Sequence, residues 1–353
     1  MNVYYDVALT IQDNDTRGES KAVKARALVK ESLMRVVIIG GSGHVGTYLV
    51  PRLVEAGHEV VNVSRGRSEP YRQHAAWRNV AQVVADRAAE EADGLFGRRV
   101  RDLRPDVVVD MICFEESSAR HLVEALRGQV QHLLHCGTIW IHGSSVQVPT
   151  TEDAPRRPFG AYGEKKARIE AYLLDEARRH GFPATLLHPG HIVGPGWAPV
   201  NPAGNFNSAV FATLARGDEL ALPNLGMETV HHVHADDVAQ AFMGALHNRS
   251  AAIGESFHVV SPAALTLRGY AETVARWFGH EPRPRYLPWE EWRATVTPDE
   301  AAATWDHIAH SPNCSIAKAQ RLLDYQPRYS SLQALHESVA WLIAHGAVEA
   351  PGL

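Results

Sequence analysis

Tyr162 and Lys166, in the run Tyr162-Gly-Glu-Lys-Lys166, stand four residues apart, so a helix would carry the phenol and the ammonium on one face. A neighbouring cation favours phenolate. It should draw the tyrosine from ~10 towards the range of a working general base, the more so beside the positive charge of an oxidised nicotinamide. Upstream, Cys136-Gly137-Thr138-Ile139-Trp140-Ile141-His142-Gly143 offers the hydroxyl of Thr138 at the end of an apolar run, the edge of an α/β sheet where ligands bind. A phenol, an ammonium and a small hydroxyl suit proton removal from an alcohol whose carbon gives up hydride.

Hydride needs an acceptor, and the chain supplies a place for one. Gly40-Gly41-Ser42-Gly43-His44-Val45-Gly46 follows an apolar run and opens a helical one. Gly40 permits the tight turn, Gly43 lets backbone approach a pyrophosphate, Gly46 lets helix and strand pack, and the helix N-terminus presents unpaired N–H groups. Which dinucleotide binds is decided at the end of the second strand, where an acid would hold the 2′-hydroxyl of NAD. The residues there are Ser64-Arg65-Gly66-Arg67, with guanidiniums and a hydroxyl where a 2′-phosphate would lie. NADP is favoured; NAD stays open, since an arginine can also stack on adenine. Asp86-Arg87 suits the adenine edge or a solvated turn. Met111, Ile112, His188 and Gly190, at later strand ends, complete the expected cofactor contacts together with Ser42, His44, Val45 and Lys166.

The elements that must position these groups alternate. Strands are expected at Arg35–Ile39, Glu59–Val63, Gln82–Ala85, Asp106–Met111, Gln131–Cys136 and Ala184–His188, with helices at Gly46–Ala56, Arg98–Leu103, Ser117–Leu126 and Lys165–Arg179. Six strands with helical crossovers make an α/β fold, a Rossmann-type doubly wound parallel sheet. After Pro189 the chain turns rich in Pro, Gly and Asn, with a helix near Ser208–Arg216. The expected organisation is an N-terminal arm over 1–33, an NAD(P)-binding domain over 34–188, and a smaller, mainly substrate-binding lobe over 189–353 with some segments returning to the first domain.

Composition excludes several classes. The 353 residues carry 35 Lys+Arg against 40 Asp+Glu, a net charge of −5, and offer no basic stripe for a phosphate backbone, so no nucleic-acid partner is expected. No apolar stretch approaches the ~20 residues of a membrane span. Cys113, Cys136 and Cys314 are too few for a disulfide framework, and a cytoplasmic setting is expected. The leader has balanced charges and lacks the apolar core of a signal peptide.

On these residues the chain resembles the extended short-chain dehydrogenases/reductases, the NAD-dependent epimerase/dehydratase family. Gly40, Gly43 and Gly46 are similar to its GxxGxxG loop, and Thr138 with Gly143 to its Ser/Thr-x-x-x-x-Gly segment. Thr151-Glu-Asp-Ala-Pro155 resembles its acidic loop, Tyr162 and Lys166 its catalytic pair. Pro189 with Gly194-Pro195 resembles the turn into the substrate lobe, and His234 with Asp237-Val-Ala239 a later strand-to-helix segment. The likeness spans roughly residues 34–345. It implies that Thr138, Tyr162 and Lys166 are catalytic, that Lys166 also holds the cofactor ribose, and that the protein is a homodimer built on the helices around Ser117 and Lys166.

The pattern is broken in places. Val230 stands where sugar-nucleotide members place an arginine on the diphosphate, His191 where an asparagine is usual, and Ile139-Trp140 where a 4,6-dehydratase has an Asp-Glu pair. Several later stretches, Arg65-Gly66, Asp86-Arg87, Val107-Val-Val-Asp110 and Leu222-Pro-Asn-Leu-Gly226, resemble the chloroplast stem-loop-binding subgroup. That resemblance implies a tie to RNA without the Tyr/Lys pair, which this chain retains.

Substrate-side candidates are Cys113 and Glu115 after the fourth strand, Trp140, His191, Trp197 and Asn205 with its neighbours Asn201 and Asn207. Amides recognise hydroxyls and an indole stacks on a sugar or base. His231, His232 and His234 share spacing with metal ligands but lack completing partners, and no metal is expected. The expected activity is transient oxidation of a hydroxyl on a sugar, nucleoside or nucleotide-sugar substrate, as in an epimerase or dehydratase. An NADPH-dependent carbonyl reductase and a non-catalytic nucleotide- or RNA-associated protein are the alternatives.

Overall fold

The first strand explains the architecture. In a computed structural model, which describes residues 33–353, β1 (Arg35–Ile39) is apolar and buried along nearly its whole length. Such a run is what a parallel strand covered on both faces requires. Its side chains alternate: Val36 and Ile38 join one core with Leu49, Val238 and Phe242, while Val37 and Ile39 join another with Phe96, Leu122 and Ile169. β1 pairs in parallel with β2 (Glu59–Ser64) on one side and β4 (Val107–Asp110) on the other. β3 (Ala81–Val84), β5 (His132–Cys136) and β6 (Ala184–Pro189) extend the sheet.

The sheet has seven strands, one more than the sequence pattern suggests, in the order β11-β6-β5-β4-β1-β2-β3. The additional strand, β11 (Ser256–Val259), comes from the C-terminal half and pairs with β6. Its Ser and His disguise a fully buried strand. Helices α1 (Gly46–Glu55), α2 (Arg87–Ala92), α3 (Phe96–Asp102), α4 (Glu116–Leu126) and α5 (Gly160–His180) flank the sheet with α7 (Ala235–His247). α5 begins five residues earlier than periodicity implies and so includes Tyr162. It ends at Gly181, whose φ of +70° makes a left-handed cap. α2 is also unanticipated: Asp86 caps it, accepting from the Ala88 and Ala89 N–H groups.

Beyond β6 the chain builds a third core around Phe211, Leu222, Tyr270, Trp292 and Leu335. Short pairs frame it: β7 (His191–Val193) with β10 (His232–His234), β8 (Leu220–Pro223) with Pro284–Leu287, and β9 (Thr229–Val230) with Leu265–Thr266. The intervening helix α6 (Ala209–Ala215) lies one residue inside the expected bounds at each end. Met34–Leu353 is one compact unit, with β11 carrying the C-terminal half into the sheet. The arm expected over 1–33 falls, but for its last residue, outside the described residues. Among the described residues no helix is long and apolar enough to cross a membrane.

Candidate functional site

The glycine loop closes on itself so tightly that its glycines are a steric demand. Gly40 has a φ of +87°, and a Cβ on Gly46 would sit 1.9 Å from the Gly41 carbonyl oxygen. Gly40 N–H donates to Val63 O and Gly41 N–H to Asn62 Oδ1, while Asn62 in turn donates to Gln82. Asn62 thus anchors the loop, a role its place in an apolar strand did not reveal. α1 follows with no side-chain cap; the Thr47 and Tyr48 N–H groups already bond Gly43 O and Val45 O, so an anion here would meet the N–H groups of the loop itself.

Two adjoining cavities open over this loop, sharing Gly40, Gly43, Ile112 and Phe114. The first, about 680 Å³, is lined by Ser42, Ser64, Arg65, Arg67, Asp86, Arg87 and Glu115. Arg65 and Arg67 are exposed there. Arg87 is different. Its guanidinium binds both oxygens of Asp110 at 2.7 and 3.0 Å and Glu91 at 2.7 Å, and Asp110 accepts from the Ile112 N–H. The expected adenine contact is therefore a strut that fixes the turn after β4, and Asp86 is committed to capping α2. Burial lowers the Arg87 pKa, but the charge and hydrogen bonds of Asp110 outweigh it and hold the guanidinium protonated. Glu115 pairs with Lys165 at the rim.

The second cavity, about 610 Å³, brings together Thr138, Tyr162 and Lys166 with His44, Val45, Gly46, Met111, Gly190, Trp140, His191 and Trp197. Lys166 is buried and donates to the carbonyls of Cys113 and Cys136, each at 2.8 Å. Burial lowers its pKa. The Tyr162 phenol is pushed up to about 12 by burial and by Cys136, against the opposing hydrogen bond of the Thr138 hydroxyl. The downward shift expected from Lys166 is thus absent in the protein alone, because the ammonium faces carbonyls on the strand ends. Thr138 Oγ accepts from the Trp140 N–H at 3.3 Å, leaving its own hydrogen to donate.

Thr138 is held from behind. Its N–H donates to His188 Nδ1 at 3.0 Å, and His188 Nε2 lies 3.0 Å from Glu170 Oε1. Arg156 grips Glu170 with two bonds of 2.9 and 2.7 Å. Burial alone would raise the Glu170 carboxyl, but Arg156 and His188 hold it far below the usual range. His188 is buried with both nitrogens engaged, so it supports the Thr138 turn and lines neither cavity, unlike the expected cofactor contact. Glu170 and Arg156 had no signal in the sequence beyond their types.

On the substrate side, Trp140 stacks on His310 with ring centroids 4.1 Å apart and meets Tyr162 edge-on. Trp197 stacks on His44 at 5.1 Å, with Tyr71 edge-on to both. His44 is kept neutral, its pKa lowered to about 3 by burial and by His234. His191 sits 4.7 Å from the ring of His307. The helix Pro298–His310 adds Ala303, Asp306 and His307, and the loop before α6 adds Phe206; none of these was legible in local spacing. Three expected contacts are not brought in, and one of them, Glu115, lines only the first cavity. Asn205 is buried against Asn201 and Thr304, and Cys113 lies fully buried, its thiol pushed up to about 12.

The clustered histidines bond to backbone. His231 contacts Ser261 O and accepts from Cys314 N–H, His232 contacts Val200 O, and His234 caps α7 through Asp236 N–H. Among the described residues Asp110, Cys113 and His135 are close enough to share a cation, but Arg87 already occupies Asp110.

The model of the NAD dependent epimerase/dehydratase family matches residues 36–259. The chain belongs to this family. A relative, 2'-dehydrokanamycin reductase of Streptomyces kanamyceticus, is 26% identical over 323 residues, covering 90% of this chain and 87% of the relative. UDP-glucose 4-epimerase of Corynebacterium glutamicum is also 26% identical, over 87% of this chain and 95% of its own. The chloroplast stem-loop binding protein of 41 kDa b of Arabidopsis thaliana is 23% identical, over 86% and 78%. The crystal structure of UDP-glucose 4-epimerase from Thermotoga maritima, with UDP-glucose, shares the fold with a TM-score of 0.66 at 22% identity, covering 88% of this chain and 99% of that one.

Thr138, Tyr162 and Lys166 line one cavity together with Gly40, Gly43 and Gly46 of the loop. The cradle fits a nicotinamide dinucleotide: a Cβ at Gly40, Gly41 or Gly46 would collide with Ile112, Asn62 or Gly41, and the two cavities adjoin at Gly40, Gly43, Ile112 and Phe114. Val230, at the position of the resembled diphosphate arginine, is wholly buried.

Proposed function

We propose that this epimerase/dehydratase-family protein transiently oxidises a carbinol of a sugar-like substrate, with Tyr162 as the proton-transfer residue. The observation that carries the reading is the convergence of Thr138, Tyr162 and Lys166 on one cavity continuous with the glycine loop. Bound NAD(P) supplies the hydride acceptor and donor. Gly40 to Gly46 would hold its phosphates, Ser64, Arg65 and Arg67 its adenosine end, and Lys166 its ribose. An ammonium has three donors, and two of them are spent on carbonyls; the third is left for a ribose hydroxyl. Thr138 donates to the substrate oxygen and Tyr162 exchanges its proton with that oxygen.

Arg65 and Arg67, which make no ion pair with a described residue, support NADP over NAD. They also favour a second reading, net reduction of a carbonyl by NADPH. A phenol whose pKa is about 12 stands protonated at neutral pH, ready to donate to a nascent alkoxide, and one relative is a reductase by name. Mass spectrometry of the purified protein separates the two readings. Stoichiometric, tightly held cofactor that stays bound through turnover supports transient oxidation, while exchangeable NADPH consumed mole for mole supports reduction. Turnover by Tyr162→Phe at the wild-type rate would defeat both.

A further inference from the structure

The walls of the catalytic cavity say more about the substrate than the catalytic trio does. Trp140, Trp197 and Phe206 face it together with Tyr162, and Trp197 and Phe206 are 42% and 53% exposed. Exposed rings of this size cover the apolar face of a pyranose or the face of a cation. The charges point the same way. Among the described residues lining this cavity, Lys166 is the only lysine or arginine, and it is buried against two carbonyls. The glycine loop would be taken up by the cofactor's phosphates, so a second diphosphate, on the substrate, would find no guanidinium in the lining for a charge-assisted bond. Val230 occupies the place of the resembled arginine.

The lining contains a carboxylate instead. Asp306 is exposed, and its side chain makes no ion pair or hydrogen bond to a described residue. It lies near the C-terminal end of the helix Pro298–His310, where the helix dipole disfavours negative charge. Helix stability does not call for an acid there. The helix that carries it is capped at its start by the Thr297/Glu300 box.

We propose that the substrate is an unphosphorylated, amine-bearing glycoside, its ring stacked among Trp140, Trp197 and Phe206 and its ammonium paired with Asp306. This rests on the preceding reading that Tyr162 works on a carbinol of a sugar-like molecule. It sets the pocket apart from one that grips a nucleoside diphosphate.

The test is calorimetric titration of the NADPH-loaded full chain with kanamycin A as an amine-bearing glycoside, its fully N-acetylated derivative, UDP-glucose, and spermine as a polyamine without rings. Kanamycin A is expected to bind at least about tenfold more tightly than the other three. Asp306→Asn should weaken it about tenfold, and Trp197→Ala should weaken both kanamycin A and its acetylated form. Tighter binding of UDP-glucose, equal binding of spermine, no binding of kanamycin A, or indifference to Asp306→Asn would each overturn the proposal. NADPH affinity, followed in parallel by its fluorescence, should be the same in Asp306→Asn and wild type. Failure of wild type to bind NADPH would count against the preceding reading, whereas turnover of UDP-glucose would spare that reading and sink this one.

Discussion

The cofactor half of the crevice leans more on charged pairs and the substrate half more on neutral imidazoles, though His44 in the glycine loop is also held neutral. Around the glycine loop, polar groups are met by formal charges and short bonds: Arg87 with Asp110 and Glu91, and Asn62 with Gly41 and Gln82. The substrate half and the adjoining sheet edge are filled with imidazole rings held neutral. His142, His191, His231, His232, His258, His307 and His310 all have pKa values lowered, first of all by burial. His142 and His258 even bond ring to ring through their Nε2 atoms at 2.8 Å, which requires one of them to be an unprotonated acceptor. A charged network tolerates mild acid. A belt of neutral imidazoles does not.

The largest predicted effect follows from that contrast. A histidine whose folded pKa is depressed binds its proton more readily unfolded. Its contribution is therefore whole above the unfolded value of ~6.5 and falls as pH drops through it, by about 1.4 kcal/mol per group per pH unit. His142, His231 and His232, lowered to about 4, 4 and 3, together lose at most ~4 kcal/mol over one unit, and His191, His258, His307 and His310 act in the same direction. Between pH 7.5 and 5.5 the melting temperature should fall by more than ~10 °C. Hydrogen exchange should show β10 losing protection before β1. Equal stability at the two pH values would remove the contrast.

Next in size is Tyr162→Phe, expected to reduce turnover by about 10²–10⁴-fold while leaving dinucleotide affinity intact, because the phenol belongs to the substrate side. Parallel loss of NADPH binding would show that the two halves are not separable there. Glu170→Ala probes the support behind Thr138. Removing the carboxylate strands Arg156 and His188, and a broken buried pair costs about 3–5 kcal/mol of stability. Glu170→Gln keeps the shape, so at a temperature where it is folded its kcat should drop about tenfold with little change in KM. An unchanged kcat would mean that His188 does not position the catalytic turn.

The same division explains what the sequence could reveal. The cofactor half is written in consecutive residues: a strand, Gly40 to Gly46, a helix, then Ser64-Arg65, all within about 30 residues. Local periodicity and glycine sterics suffice to read it. The substrate half is assembled from Trp140, His191, Trp197, Phe206 and Asp306, brought together only by tertiary packing. β11 was missed for a related reason. Its Ser256 and His258 read as surface residues, and the groups that satisfy them, such as Glu152 accepting from the His258 N–H, lie more than a hundred residues away. Position at a strand end does not say which way a ring is turned, so the sequence does not show that His188 faces away from both cavities. Asn205 sits in the right loop but turns inward to Thr304.

The smallest predicted effect tests whether the cofactor half also sets cofactor choice. Arg65 has no ion pair among the described residues and lines the adenosine cavity beside Ser64. If it meets a 2′-phosphate, it contributes one charge-assisted bond, about 1.5–3 kcal/mol, discounted towards the lower figure because the site is exposed. Arg65→Ala should then weaken NADPH about tenfold and leave NADH within about twofold, measured by fluorescence titration at fixed salt. Raising the ionic strength should shrink the NADPH difference, since the screening length is ~10 Å at 0.1 M and shorter above it. An equal loss for both cofactors would assign Arg65 to stacking on the adenine, a contact that does not distinguish them, and the NADP preference would then have to rest on Arg67.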